Sequence, residues 1–296
     1  VRETNNDLGT FAVFILTHGR ANNVKTINTL KKRGYTGRIV LVVDDEDKQG
    51  EEYRKNFPGM VEMFSKAEIR KRIDTFDNIR NNLTILHPRN ACFDIAERLG
   101  IKTFVQLDDD YMSFESRYPE DGKLKVQKVV ELDKIFEAVT RFFWSTNVSA
   151  IALAQGGDFI GGINSGTVFK SPIYRKAMNS FFCSPERRFF FFSRMNEDVS
   201  TYTTLGSRGH LFMTTFSVML TQAQTQSQKG GLTEMYLQHG TYAKSFYTVM
   251  TMPSSVKVGA ISGTAHPRIH HSIDWDTTVP KIIRQVHQKQ SWNYAD

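Results

Sequence analysis

TFVQLDDDY, residues 103–111, is the stretch on which the reading of this chain turns. Thr103 to Leu107 has the β-branched and apolar character of a buried strand, and it runs without a breaker into Asp108-Asp109-Asp110-Tyr111. Hard oxygen ligands grouped at the end of a strand are what Mg2+ or Mn2+ needs when the ion also holds phosphates, and alternate aspartates can face one ion. A solvated acidic turn or a helix cap has the same spacing, so pattern alone leaves both readings open.

Upstream, the same arrangement occurs twice. Phe11 to Leu16 (FAVFIL) ends in Thr17-His18-Gly19-Arg20, and Arg38 to Val43 (RIVLVV) ends in Asp44-Asp45-Glu46-Asp47. Continuous apolar runs of this length suit strands buried on both faces. Between them, a helix capped by Asn22 or Asn23 carries Val24, Ile27 and Leu30 on one side and stops at Gly34. A charged helix near Glu51 to Phe57, a strand near Met60 to Phe64, and a helix from Asn90 to Leu99 with Ala91, Ile95, Ala96 and Leu99 in a stripe complete the alternation. Strands alternating with helices predict an α/β fold with a parallel sheet, whose ligands bind at the C-terminal strand edge.

Downstream, Tyr118 to Lys125 reads as a loop, Leu132 to Trp144 as an amphipathic helix, and Ala150 to Ala154 as a strand. Gly156-Gly157 and Gly161-Gly162 follow, and paired glycines let a backbone turn sharply or approach a ligand closely. Short strands are predicted at Gly166 to Phe169 and Ser180 to Cys183, and the run Phe189 to Phe192 is predicted to be core. Met195-Asn196-Glu197-Asp198 opens a helix, where the acids serve either as a general base toward a hydroxyl or as N-terminal helix chemistry. Thr221 to Gly231 is a Gln-rich loop. His270-His271 offers imidazoles for a metal shell or a diphosphate, or a plain structural pair.

The chain has 296 residues, 40% apolar and 23% charged, which excludes a disordered or fibrous protein. Its two cysteines, Cys92 and Cys183, are too few for a disulfide scaffold and lack metal-ligand spacing. No window nears the roughly 18 apolar residues of a membrane helix. A cytosolic protein with no membrane partner is therefore expected. The net charge of +7 suits a polyanionic partner or a merely solvated basic surface.

Taken in order, the acid cluster after TFVQL, the glycine-rich turn, the internal Glu-Asp and the late histidines resemble a GT-A glycosyltransferase. The resemblance implies a Rossmann-like, mixed and mostly parallel sheet flanked by helices, with an irregular acceptor-binding C-terminal half. It matches the DxD metal motif to Asp108-Asp109-Asp110 and the xED motif to Asn196-Glu197-Asp198, with a metal-binding histidine near the C-terminus.

More narrowly, FILTHGRANNVKT, VVDDED, RNACFDIAERLG, QLDDDY, AQGGDFIGG, KAMNSFFC, NEDVSTYTTLGSRG and RIHH are similar to the phage TET-associated glycosyltransferases, from about Phe11 to Ile282. That family implies one domain over 1–296, with a nucleotide-sugar half over about 11–115 and an acceptor half over about 116–296. It implies transfer of a hexose or N-acetylhexosamine from a UDP-sugar to 5-hydroxymethylcytosine in phage DNA, in the bacterial cytoplasm and with no obligate protein partner.

On this resemblance, Asp108 and Asp110, with His270 or His271, hold Mn2+ or Mg2+. Thr17, His18, Arg20, Asp44, Arg89, Asn90, Asp108, Asp109, Gly156 and Gly157 surround the nucleotide sugar. Asp198 takes the hydroxyl proton, with Glu197 as the alternative carboxylate, and Arg208 and Lys229 contact DNA. The rival readings are a GT-A enzyme with a glycan, lipid or protein acceptor, a nucleotidyltransferase, and a non-catalytic DNA-binding protein.

Overall fold

Strand β1 (Phe11–Leu16) pairs in parallel with β2 (Arg38–Asp44) on one side and β4 (Thr103–Asp108) on the other, and β3 (Val61–Phe64) extends the sheet beyond β2. The computed structural model describes residues 10–79, 84–164, 173–222, 240, 242–261 and 268–282. Helices α1 (Lys25–Lys32), α2 (Gly50–Asn56), α3 (Lys66–Arg70) and α4 (Leu86–Arg98) make the crossovers.

Every residue of β1 is buried because strand side chains alternate between two faces, both of them covered. Phe11, Val13 and Ile15 enter one core with Ile27 and Leu30 of α1, while Ala12, Phe14 and Leu16 enter the other with Ala91, Cys92 and Ile95 of α4. The apolar runs of the sequence are thus a three-layer α/β core.

The sheet continues from β4 through β8 (Phe181–Cys183), β7 (Ala150–Gln155), β9 (Phe212–Gln222) and β5 (Tyr111–Glu120) to β6 (Lys123–Lys128), giving the order β3-β2-β1-β4-β8-β7-β9-β5-β6. It is mixed: β3 to β4 are parallel, as are β7 and β9, and the remaining neighbours are antiparallel. Helix α5 (Leu132–Ser145) covers the first core and α6 (Glu197–Gly206) the second. Beside α6 lie α7 (Ala243–Thr251), the hairpin of β10 (Val256–Ile261) and β11 (Arg268–Ile273), and the short α8 (Trp275–Thr278). Among the described residues no helix is long and apolar enough to cross a membrane.

Some local expectations are corrected. Tyr118 to Lys125 is a β-hairpin, turned by Asp121 and Gly122 at φ 49° and 69°, the left-handed pair that matches strand twist. The run Phe189 to Phe192 is core only in part, since Phe189 and Phe191 are buried while Phe190 is 44% exposed. Helix α4 begins at Leu86, a turn earlier than expected. The predicted division near residue 115 falls inside β5, whose first half pairs with β9. Thr221 and Gln222 belong to β9; the rest of the Gln-rich stretch, and the predicted strand at 166–169, lie outside the described residues.

Gly34 closes α1 at φ 79°, and a Cβ there would stand 2.3 Å from the Val130 carbonyl oxygen. Gly34→Ala is expected to lower stability by at least about 1–3 kcal/mol, because left-handed strain adds to a backbone clash. Urea denaturation checks it.

Candidate active site

Register places three loops side by side at one sheet edge. Leu16 is paired with both Val42 and Asp108, so the segments after β2, β1 and β4 leave the sheet as neighbours. Thr26 of α1 shapes the acidic turn: its hydroxyl donates to the Asp108 carbonyl at 2.6 Å and accepts from the Tyr111 amide at 3.0 Å.

Within that turn the three aspartates point differently. Asp108 Oδ2 and Asp110 Oδ1 both accept from Nε2 of Gln222, at 3.2 and 3.0 Å, so two carboxylates meet at one amide from β9. Asp108 Oδ1 is buried without a hydrogen-bond partner and lies 3.8 Å from the Arg89 guanidinium. Burial pushes the Asp108 carboxyl up to about 7, with Asp110, Asp109 and Glu197 adding repulsion that Arg89 only partly offsets. Asp109 turns toward β1, accepting from the Thr17 hydroxyl at 2.7 Å and from Arg20.

A second pair of acids arrives from α6. Asn196 at φ 57° takes the left-handed conformation that asparagine tolerates, and it starts the helix with Glu197 and Asp198 turned inward, 6% and 7% exposed. Arg89 connects the two groups. Its Nε donates to Glu197 Oε1 at 2.7 Å, its Nη1 reaches Gln106 and the Asn179 carbonyl at 3.3 Å, and its plane lies over Phe181 and Phe191. Asp198 accepts the Val199 amide at 2.7 Å, and its carboxyl is raised by burial and by Glu197.

The histidines form a third group. Lys176 Nζ lies 3.0 Å from Nε2 of both His270 and His271, whose rings are 4.1 Å apart. His271 also meets Asn196 at 3.3 Å, which ties this group to the start of α6. Among the described residues no three His, Cys, Asp or Glu side chains gather as a ready metal cage. The expected union of His270 or His271 with Asp108 and Asp110 is not formed among the described residues, where Nε2 of each imidazole faces the Lys176 ammonium.

Two further expectations need correction. Arg89 is 1% exposed, with Nε and Nη1 engaged by Glu197, Gln106 and the Asn179 carbonyl and Nη2 3.8 Å from Asp108, so it is placed to position Glu197 and Asp108 rather than to touch a nucleotide. Asn90 is 4% exposed and its side chain ties α4 to Phe191 through the Phe191 amide and carbonyl. Thr17 is buried between Tyr53 and Asp109, whereas His18 and Arg20 keep partial exposure at the edge. Asp44 is held by His18 and Lys66. Gly156 and Gly157 start a tight turn after β7, and a Cβ on either would meet nothing within 4 Å. Arg208 is exposed at the far end of α6, about 15 Å along the axis from Asp198. Lys229 lies outside the described residues.

Sequence reasoning missed Gln222, Lys176 and Lys66. Gln222 sits in a tract that reads as a polar loop, and no local pattern marks either lysine as buried.

A profile of the family described as TET-Associated Glycosyltransferase matches residues 11–231, which hold all nine strands of the main sheet and both acid groups. The chain belongs to the TET-associated glycosyltransferase family. It is accordingly a glycosyltransferase, with a Rossmann-like GT-A-type sheet flanked by helices. The matched span ends before His270 and His271. No curated protein matches the chain.

Similarity to solved structures is remote. A mannosyltransferase from Pyrobaculum calidifontis, in complex with GDP-Man and Mn2+, is 14% identical with a TM-score of 0.47, over 82% of this chain and 63% of that one. Glucosyl-3-phosphoglycerate synthase from Mycobacterium tuberculosis, with Mn2+, UDP and phosphoglyceric acid, is 7% identical at 0.45, over 89% and 86%. Residues 1–349 of TarS from S. aureus, with UDP-GlcNAc, are 11% identical at 0.44, over 82% and 66%.

The raised carboxyls make stability depend on pH. In the folded, metal-free protein Asp108 binds its proton more tightly than in the unfolded chain, where 3.8 is the ordinary value. That contribution is complete below about pH 4 and is lost as pH rises through about 7. Wild type is therefore expected to lose thermal stability relative to Asp108→Asn between those limits, as melts in EDTA will show.

Proposed function

We propose that this member of the family moves a sugar from a UDP-sugar onto the hydroxyl of 5-hydroxymethylcytosine in DNA, assisted by Mn2+ or Mg2+. The observation that carries the reading is the convergence of acids from two elements, Asp108 at the end of β4 and Glu197 and Asp198 at the start of α6, on the buried guanidinium of Arg89. One group faces the end where a diphosphate leaves, the other the end where a hydroxyl attacks.

The donor set suits a hard divalent ion. Asp108 and Asp110 already share one hydrogen-bond donor, and the buried Asp108 Oδ1 accepts no hydrogen bond. These two residues would hold the ion, which neutralises the charge of a departing nucleoside diphosphate.

The chain's own residues supply the rest. Asp198 accepts the acceptor's hydroxyl proton as the oxygen bonds to the anomeric carbon and the bond from that carbon to the diphosphate breaks. A buried base with a raised pKa is matched to a weakly acidic hydroxyl at neutral pH. Arg89 and Glu197 fix the start of α6, and with it the position of Asp198. Asp109 and Arg20 line the neighbouring edge for the ribose, and the open backbone at Gly156 and Gly157 leaves room for the sugar.

The DNA acceptor is supported by the family's association with TET oxygenases, by the net charge of +7, and by the projection of cytosine 5-substituents into the major groove. Lys229 and the exposed Arg208 remain the candidate phosphate contacts. The host cytoplasm, a single 1–296 domain and the absence of an obligate protein partner belong to the same reading.

The test is incubation with 5-hydroxymethylcytosine DNA, Mn2+ and a panel of UDP-sugars, followed by nucleoside mass spectrometry with an EDTA arm. A hexose or N-acetylhexosamine mass gain abolished by EDTA is expected. Metal-dependent UDP-sugar hydrolysis with no gain on DNA would move the acceptor to a glycan, lipid or protein.

A further inference from the structure

The amide shared by Asp108 and Asp110 belongs to a side chain fixed from two directions. Gln222 ends β9, where its backbone is paired with Tyr111, the residue after Asp110. Asn179 comes from the other side: β8 runs antiparallel to β4 with Gln106 opposite Phe181, and the same register continued brings Asn179 beside Asp108. Asn179 stands at φ 62°, a left-handed conformation that asparagine tolerates, and its carbonyl accepts from Arg89 Nη1 at 3.3 Å. Its Nδ2 donates to Gln222 Oε1 at 3.2 Å, while Gln222 Nε2 donates to Asp108 Oδ2 at 3.2 Å and to Asp110 Oδ1 at 3.0 Å. A carboxamide nitrogen carries two hydrogens, so in this form each carboxylate receives one.

That arrangement suits the acids alone and opposes a cation. The N–H dipoles put positive charge at the point on which the two carboxylates converge, so a divalent ion and this nitrogen compete for the same oxygens. The spacing nevertheless is that of a ligand shell. In an octahedral site with metal–oxygen distances of about 2.1 Å, neighbouring oxygens lie about 3 Å apart. The amide end of Gln222 stands 3.0 and 3.2 Å from the two carboxylate oxygens, so an oxygen in the place of Nε2 would stand where a neighbouring ligand belongs. The side chain has that oxygen at its other end, and the two ends of a carboxamide are nearly the same size.

Resting on the reading that Asp108 and Asp110 hold the divalent ion, we propose that Gln222 is its third protein ligand, reached by a half-turn of two amides. Rotation about the last torsion of Gln222 brings Oε1 to the acids and Nε2 to Asn179, and the matching rotation of Asn179 presents Oδ1 to that nitrogen. Such terminal torsions are broad and roughly two-fold, so the exchange needs no backbone movement. In the metal-free form the amide clamps two carboxylates that repel each other. In the loaded form it is a neutral oxygen ligand, of the hard kind that Mg2+ and Mn2+ take. Oxygens from the end of β4, from the turn after it and from β9 leave the other positions to the diphosphate and water.

Counting the waters on bound Mn2+ tests this, by electron–nuclear double resonance in oxygen-labelled water on the protein with Mn2+ and no nucleotide. Gln222→Ala opens a position that water fills, so its Mn2+ carries one more water than in wild type, and Mn2+ affinity falls at least about tenfold. Gln222→Glu keeps an oxygen of the same reach, so its water count equals that of wild type. Equal counts in wild type and Gln222→Ala, or an extra water in Gln222→Glu, would overturn the role of Gln222 and leave Asp108 and Asp110 as the site. Wild type that binds no Mn2+, or Asp108→Ala that binds it as tightly as wild type, would overturn the metal reading itself.

Discussion

Asp198→Asn lowers kcat for sugar transfer by about 10²–10⁴-fold while leaving UDP-sugar affinity within a small factor of wild type. The size is that of a lost general base. The selectivity follows from placement: Asp198 is at the start of α6, and the groups that would hold donor belong to the loops after β1, β2 and β4. Asparagine preserves the shape and can still accept the Val199 amide, so the helix start survives. Steady-state kinetics with 5-hydroxymethylcytosine DNA, paired with calorimetric donor binding, separates the two quantities. Full activity with normal donor binding would remove Asp198 from the chemistry and leave the acids of α6 as helix-terminal residues.

Arg89→Met is expected to cost about 3–5 kcal/mol of stability, the penalty for leaving a buried carboxylate without its counter-charge. Arg89 is the cation shared by Glu197, Asp108 and Asp198, and its aromatic surroundings offer no water to replace it. Arg89→Lys restores only part of the loss, because one ammonium cannot reproduce contacts made by three guanidinium nitrogens. Urea denaturation of Arg89→Met beside the double variant with Glu197→Gln is informative: removing the stranded charge recovers part of the stability. Additive losses would mean that the pair is not coupled.

The parts of the fold readable from sequence were those with a burial signature in a short run. FAVFIL, RIVLVV and TFVQL are buried on both faces, as strands of a sheet covered by helices on both sides are. Strand β6, KLKVQK, has no such signature because it is an edge strand whose lysines face solvent. Its turn residues Asp121-Gly122 carried the hairpin cue, and the surrounding charge obscured it.

At the site, the acid cluster was legible because three aspartates directly follow a buried strand, although their spacing alone did not separate a metal site from a solvated turn. The function of Arg89 was not, since an arginine beside Asn90 on an amphipathic helix looks alike whether it faces a nucleotide or a buried glutamate. The histidines show the same limit: consecutive strand residues ordinarily face opposite sides, yet both rings here reach Lys176. Lysine burial of this kind is set by long-range partners, as with Lys66 between Asp44 and Glu46, and leaves no local trace.

The most direct measurement is the rate of UDP release from a UDP-sugar by wild type, with Mn2+, in the presence of 5-hydroxymethylcytosine DNA, of the same DNA with unmodified cytosine, and of no acceptor. Release stimulated at least tenfold by the hydroxymethylated DNA alone is the expected result. Equal release under all three conditions would contradict the assignment of a DNA hydroxyl as the acceptor.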